Sequence, residues 1–140
     1  MLGLKEVANK NMMRKEEENK RIDARRKIDR MFVDFINENL DEIHEFFPTT
    51  KLYDANFLYG ASFKATQKDH FKYDDFDNYL IELTPDNKIV IRRMIKNFNN
   101  IEIPFKLDDN KSVLYRKFKN AIKTLVSIGY NPDKDTKLIK

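Results

Sequence analysis

The chain has 140 residues, a net charge of +4 and no cysteine. This length is typical of one domain, and the lack of cysteine excludes disulfides, thiol catalysis and metal sites built on thiolates. The charged fraction is 36% and the hydrophobic fraction is 41%, which predicts one compact core with polar extensions.

Charge is distributed unevenly along the sequence. Residues 1–30 carry a net charge of +4 and residues 31–47 carry −5, with no Lys or Arg among the latter. Residues 48–87 carry −3 and residues 88–140 carry +8. This distribution predicts an acidic middle between two basic ends.

A long helix is predicted from about residue 14 to 47. From Met31 onwards apolar side chains recur with helical spacing, and Pro48 should end the helix. Upstream, Arg25 and Asp29 occupy positions where apolar residues are expected, although favourable i,i+4 charge pairs continue. Residues 1–30 are therefore interpreted as a polar, charge-laced helical extension with a mobile N-terminus. The predicted inward side chains are Phe32, Phe35, Ile36, Ile43, Phe46 and Phe47, with Leu40 just outside this face.

The sequence indicates little about the structure of residues 49–76, and a hairpin and a third strand are predicted after them. Residues 51–60 could form a short helix, residues 61–66 alternate like a strand, and residues 67–78 are typical of a polar loop. Strands at 78–83 and 88–95 flank the sequence TPDN, which favours a type I turn with Asn87 left-handed. Residues 100–107 alternate cleanly, and Pro104 indicates an edge strand.

An amphipathic helix is predicted over residues 113–128. The preceding segment DDNKS offers helix caps, and Gly129 suits the position after the helix, with Tyr130 packing back on Leu125. Residues 131–140 are expected to be a flexible tail. The predicted inward side chains are Leu114, Phe118, Ala121, Ile122 and Leu125.

These elements predict an α+β fold. It has a long N-terminal helix, a small antiparallel β-meander of about three strands and a C-terminal amphipathic helix. Residues 31–130 are expected to form a single compact domain.

No enzymatic chemistry is expected from the motifs. The chain has no glycine-rich phosphate loop and no nucleophile-elbow context around its serines. His70 lies in an acidic segment, but the ligand spacing of a metal site is missing there. We therefore expect a non-enzymatic protein with no metal and no cofactor.

The basic C-terminal half is the main functional signal. Arg116, Lys119 and Lys123 fall within about 60° on a helical wheel, and no acid lies between residues 111 and 127. Such a surface favours nucleic-acid binding, although the solvated face of an amphipathic helix has the same pattern. The preceding hairpin adds the basic residues Arg92, Arg93 and Lys96.

The N-terminal helix supports an alternative function. Its arginines can contact phosphate or an acidic protein surface, but five acids interrupt residues 14–30. This interleaving is typical of a solvated helix or a partner-binding helix more than of a nucleic-acid arm. The arginines concerned are Arg21, Arg25, Arg26 and Arg30.

The alternative is a protein-interaction module. It would be a phage or mobile-element factor that binds and inhibits a host protein or nucleoprotein enzyme through its N-terminal helix. The richness in Lys, Ile and Asn, whose codons are AT-rich, is consistent with such a source. The lack of cysteine favours a cytoplasmic setting. No apolar segment suits a signal peptide or a membrane span, so no membrane partner is expected, and the oligomeric state stays open.

Overall fold

The computed structural model describes residues 2–47, 51–54, 61–65, 79–93 and 98–130, with 51–54 and 61–65 described by their backbone alone. Its helices and sheet confirm the predicted α+β class. In chain order the elements are α1 (Leu4–Glu38), α2 (Leu40–Phe46), β1 (Lys51–Asp54), β2 (Ala61–Ala65), β3 (Tyr79–Leu83), β4 (Lys88–Arg93), β5 (Ile101–Pro104) and α3 (Lys111–Gly129).

The sheet is an antiparallel meander in the order β1-β2-β3-β4-β5. Strands β3, β4 and β5 correspond to the three most clearly predicted strands. Strands β1 and β2 add two more at the opposite edge from β5. The strand predicted near residue 61 is confirmed as β2. The short helix expected from residue 51 is wrong for 51–54, because this segment pairs with β2, with Leu52 opposite Phe63. The rest of that expected helix and the predicted polar loop at 67–78 lie outside the described residues.

The predicted hairpin is confirmed. β3 and β4 pair in register, with Ile81 opposite Ile91, and Asn87 in the connecting turn has a φ of 63°. β5 lies at the sheet edge and places Pro104 opposite Lys88. Because proline lacks an N–H group, the edge is where a strand can accept it.

The helices α1 and α3 cover one face of the sheet. Alternation along β3 and β4 directs five side chains towards that face. The ring of Phe32 on α1 meets the ring of Phe118 on α3 edge-on, with centroids 5.2 Å apart. Burial of these apolar surfaces is the main source of stability. The five sheet residues in this core are Tyr79, Ile81, Leu83, Ile89 and Ile91.

The long helix differs from its prediction at both ends. It begins at Leu4 rather than near residue 14, and it is interrupted at Asn39. The side-chain amide of Asn39 donates to the carbonyl of Phe35 at 2.8 Å, and the backbone N–H of Asn39 approaches the same oxygen at 3.2 Å. Such competition for a helical carbonyl interrupts a helix, so α2 starts as a separate element.

Core contact along α1 starts earlier than the apolar pattern indicated. Arg25 is 1% exposed, and Ile28 and Asp29 are also buried. The exposed part of α1 therefore covers residues 4–21. The domain boundaries and the mobility of the N-terminus stay predictions, and the expected tail at 131–140 lies outside the described residues.

The end of α3 differs from its prediction, which placed Gly129 after the helix in a left-handed (Schellman) turn. Gly129 is the last helical residue and does not have a positive φ, and Tyr130 caps the helix in an extended conformation. A Cβ added at Gly129 would lie 2.8 Å from Cε2 of Tyr79. The glycine is therefore needed for close approach of β3 to the helix, not for a left-handed turn.

Candidate nucleic-acid interface

The candidate site lies on the outward face of α3. The N-cap of the helix is Asn110, whose side-chain oxygen accepts the backbone N–H of Val113 at 2.9 Å; it belongs to the segment DDNKS, which the sequence offered for helix caps. Its buried face is formed by side chains with helical spacing, so the opposite face meets solvent. The buried residues are Leu114, Phe118, Ala121 and Leu125.

Three basic side chains form what we call the α3 stripe: Arg116, Lys119 and Lys123. All three are exposed, and none forms an ion pair within the described residues. By contrast, Lys117 on the same helix pairs with Asp109 at 2.8 Å. The charges of the stripe are therefore not neutralised by neighbouring acids in the described structure.

The stripe borders an apolar cavity, here called the α2–α3 cleft, with a volume of about 530 Å³. Lys119 and Lys123 stand on its α3 side, and Glu42 stands on its α2 side. Clefts of this size with apolar walls and a few polar groups are typical of binding sites. The remaining lining residues are Phe35, Asn39, Ile43, Phe46, Phe47, Ile122 and Val126.

The two sides of the cleft carry opposite charge. The exposed residues Asp41 and Glu45 accompany Glu42 on α2, while the described part of α3 carries no acid.

The negative charge of α1 also reaches the start of α3. Burial raises the pKa of Tyr115, and the nearby carboxylates Glu38 and Asp34 raise it further.

Of the predicted basic residues of the hairpin, Arg92 does not join the α3 stripe. Arg92 alternates with the core residue Ile91, so its side chain lies on the sheet face opposite α3, where its Nε donates to Glu82 at 2.6 Å. The guanidinium of Arg93 lies 5.2 Å from the ring centre of Tyr79. Lys96 lies outside the described residues. Arg92 therefore does not extend the basic surface of α3 onto β4.

The four arginines of α1 that the sequence predicted as binding residues separate into two groups. Arg21, Arg26 and Arg30 are exposed, as a binding surface requires. Arg25 is enclosed by the fold, where its Nε donates to Asp29 at 3.0 Å and its guanidinium bonds the backbone carbonyl of Thr84. Because its charged group is inside the protein, we leave Arg25 out of the candidate surface.

Other functional groups are sparse in the described part of the chain. Among its residues, no three His, Asp or Glu side chains are grouped so as to hold a metal ion. The acidic segment around His70 lies outside it. Of the helices described, none combines the length and the apolar character needed to cross a membrane.

Sequence reasoning missed the α2–α3 cleft. Its apolar residues were predicted as core, because helical periodicity indicates an inward face without indicating how closely two helices pack. Asn39 was the available signal, since an asparagine within a helical pattern favours an interruption.

Comparison of the chain with family models, with curated proteins and with solved structures finds no match. The functional argument therefore rests on the site itself.

Proposed function

We propose that this protein is a non-enzymatic binding protein that associates with nucleic acid through the α3 stripe. The observation that carries the proposal is the exposure of Arg116, Lys119 and Lys123 on one helix face, with no ion pair among the described residues. Cations presented in this way neutralise phosphates and release condensed counterions, which supplies most sequence-independent affinity for nucleic acid. The proposed setting is the cytoplasm, which the lack of cysteine favours.

The spacing of the stripe suits successive phosphates. Arg116 and Lys123 are seven residues apart, which corresponds to about 10 Å along the helix axis. A helix packed on the core holds this spacing, whereas basic residues on a loop would have to be ordered on binding. Asn120 and Ser127 are exposed beside the stripe and can add hydrogen bonds to phosphate or sugar.

The test is fluorescence anisotropy with labelled oligonucleotides at low salt. The combined variant Arg116→Glu, Lys119→Glu and Lys123→Glu should bind about 100-fold more weakly or worse, because three charged contacts of about 1 kcal/mol or more each are lost. The matched control is Arg21→Glu, Arg26→Glu and Lys27→Glu. It makes the same change in net charge at exposed positions of α1 and should retain most of the affinity.

Salt dependence is a second readout. Three phosphate contacts predict a slope of log K against log salt concentration of about −2 to −3. No detectable binding of DNA or RNA at low salt would contradict the proposal. Loss of binding in the α1 control with full binding in the stripe variant would move the site to the N-terminal helix.

A separate observation favours a second candidate function, that of a protein-interaction module. Every residue from 2 to 21 is exposed, and the helical part of this segment, residues 4–21, is about 27 Å long. An isolated helix of this length is only marginally stable in water, and exposed apolar side chains mark contact surfaces. The large hydrophobic residues exposed there are Leu2, Leu4, Val7, Met12 and Met13.

In this alternative the exposed end of α1 binds a host protein or nucleoprotein enzyme and inhibits it, as a phage or mobile-element factor would. The test compares proteins recovered by the full chain with those recovered by a full-length variant in which Leu4, Val7, Met12 and Met13 are changed to Gln. Glutamine keeps helix propensity and removes the apolar surface. Identical recoveries would exclude this end of α1 as the binding surface.

A further inference from the structure

We propose, on the basis of the nucleic-acid binding proposed above, that the site takes a single strand. The backbone of the strand would follow the α3 stripe, and one unstacked base would enter the α2–α3 cleft.

The stripe and the cleft share two residues. Lys119 and Lys123 belong to the stripe and also stand at the edge of the cleft, one helical turn apart. A ligand whose phosphates contact these lysines therefore lies directly beside an apolar cavity of about 530 Å³. A nucleotide combines an anionic phosphate with a flat base, whose face can pack on apolar side chains and whose edges carry polar groups.

The lining of the cleft can support a base. Phe46 is half-buried at the cleft wall, and its ring meets that of Tyr130 edge-on, with centroids 5.2 Å apart and an interplanar angle of 88°. This contact holds the Phe46 ring in place before a ligand arrives. Contact of a base with an aromatic side chain contributes about 1–3 kcal/mol, and it depends little on sequence.

The opposite charges of the two sides of the cleft favour a single strand over a duplex. A duplex carries phosphates on both strands, so docking one backbone on the stripe would bring the other towards Glu42 on the α2 side of the cleft. A single strand carries phosphates on one side and bases on the other. Its bases would face Glu42, whose carboxylate can accept hydrogen bonds from the amino groups of cytosine or adenine.

The experiment measures binding of the full chain to three labelled probes of equal length at one salt concentration. The probes are an oligocytidylate strand, the same strand with abasic sites, and a duplex containing it. We expect the strand to bind at least about tenfold more tightly than either of the others, because only it places a base in the cleft.

The matched variant is Phe46→Leu, which keeps an apolar side chain and removes the ring. Its affinity for the strand should fall towards that of the abasic probe, while its affinity for the duplex stays unchanged. Far-ultraviolet circular dichroism checks that the variant is folded. The probe comparison on the unchanged protein remains decisive if it is not.

The outcomes separate the two proposals. Equal affinity for all three probes, abolished by the triple stripe variant, would overturn the single-strand inference and keep nucleic-acid binding. No binding of any probe would overturn both. Binding of an acidic amphipathic peptide that is lost in Phe46→Leu, without binding of any oligonucleotide, would assign the cleft to a protein helix instead.

Discussion

The guanidinium of Arg25 donates a hydrogen bond to the backbone carbonyl of Thr84, which lies 59 positions further along the chain. The same group bonds Asp29 at 3.0 Å and the side-chain oxygen of Asn87 at 3.3 Å, and it lies 5.4 Å from the ring centre of Phe105. One α1 side chain therefore joins the helix to the β3–β4 turn. It does so close to the point where the exposed part of α1 ends.

Replacing Arg25 should strongly destabilise the fold. In Arg25→Met the carboxylate of Asp29 and the carbonyl of Thr84 lose a charged partner in buried surroundings, so the free energy of unfolding should fall by about 3–5 kcal/mol. Urea denaturation followed by circular dichroism measures the change. The exposed neighbour provides the control, and Arg26→Met should change stability by less than about 0.5 kcal/mol.

The double variant Arg25→Met with Asp29→Leu should regain much of the loss, because it removes both charges together. If the double variant is no more stable than Arg25→Met, the loss of stability comes from lost packing and not from the separation of the Arg25–Asp29 ion pair.

Asn87 is expected to tolerate glycine better than alanine. Its φ of 63° is accessible to glycine, while a residue with a Cβ pays about 1–2 kcal/mol there unless its side chain bonds locally. Both variants lose the bond from Arg25. Asn87→Ala should therefore be about 1 kcal/mol less stable than Asn87→Gly in thermal or urea unfolding. Equal stability would mean that the turn relaxes to a negative φ.

Gly129→Ala should destabilise the protein although alanine is the better helix former. The added Cβ would lie 2.8 Å from the buried ring of Tyr79, and such overpacking costs about 1–3 kcal/mol. This exceeds the gain in helix propensity of about 1 kcal/mol or less. Ser127→Ala, at an exposed position of the same turn, is the control and should be neutral or slightly stabilising. A gain in stability for Gly129→Ala would show that the ring moves aside.

Asp109 should contribute to stability in a pH-dependent way. A hydrogen bond from the Lys117 ammonium at 2.8 Å, and one from the backbone N–H of Lys106 at 2.9 Å, lower the pKa of Asp109. A lowered native pKa stabilises the fold above the unfolded pKa of about 3.9, and this contribution is lost as pH falls through the native value.

The variant Asp109→Asn should therefore be less stable than the unchanged protein at neutral pH, by less than about 1 kcal/mol for this partly exposed pair. Unfolding measured from pH 7 downwards should show the difference narrowing below about pH 4. A difference that stays constant over this range would mean that the ionised form is not what stabilises the segment.

The acidic side of the cleft should limit the binding of duplexes. The neutral variant Glu42→Gln should raise affinity for the duplex probe severalfold and reduce the preference for the single strand, because the repulsion of the second backbone is weakened. Fluorescence anisotropy at low and high salt measures the affinity for the duplex probe, and the gain in this affinity should shrink at high salt. The control is Asp108→Asn, which makes the same charge change at an exposed position outside the cleft.

Local patterns were sufficient for several elements. The TPDN turn predicted the β3–β4 hairpin and the left-handed Asn87, because turn geometry depends on the few residues that form it. Asn110 and the apolar period predicted α3 for the same reason. In these segments the preference of the backbone and the burial of one face agree.

Other features were out of reach of such patterns. A charged side chain within a polar segment indicates solvent exposure, so Arg25 was grouped with the exposed arginines. Its partners Thr84 and Asn87 are distant in sequence, and only the packing of α1 on the hairpin brings them within hydrogen-bonding distance. Strand β1 was missed because its pairing with β2 overrides a weak local preference.

By itself the sequence determined the α+β class, the hairpin, the inward face of each amphipathic helix and the position of the basic stripe on α3. These depend on side-chain periodicity and turn chemistry, which act over a few residues. The tertiary structure alone decided that Arg25 is internal, that Arg92 lies on the opposite sheet face, and that Lys119 and Lys123 border an apolar cleft. Those features arise from contacts between distant segments, whose geometry is set only when helices and sheet pack together.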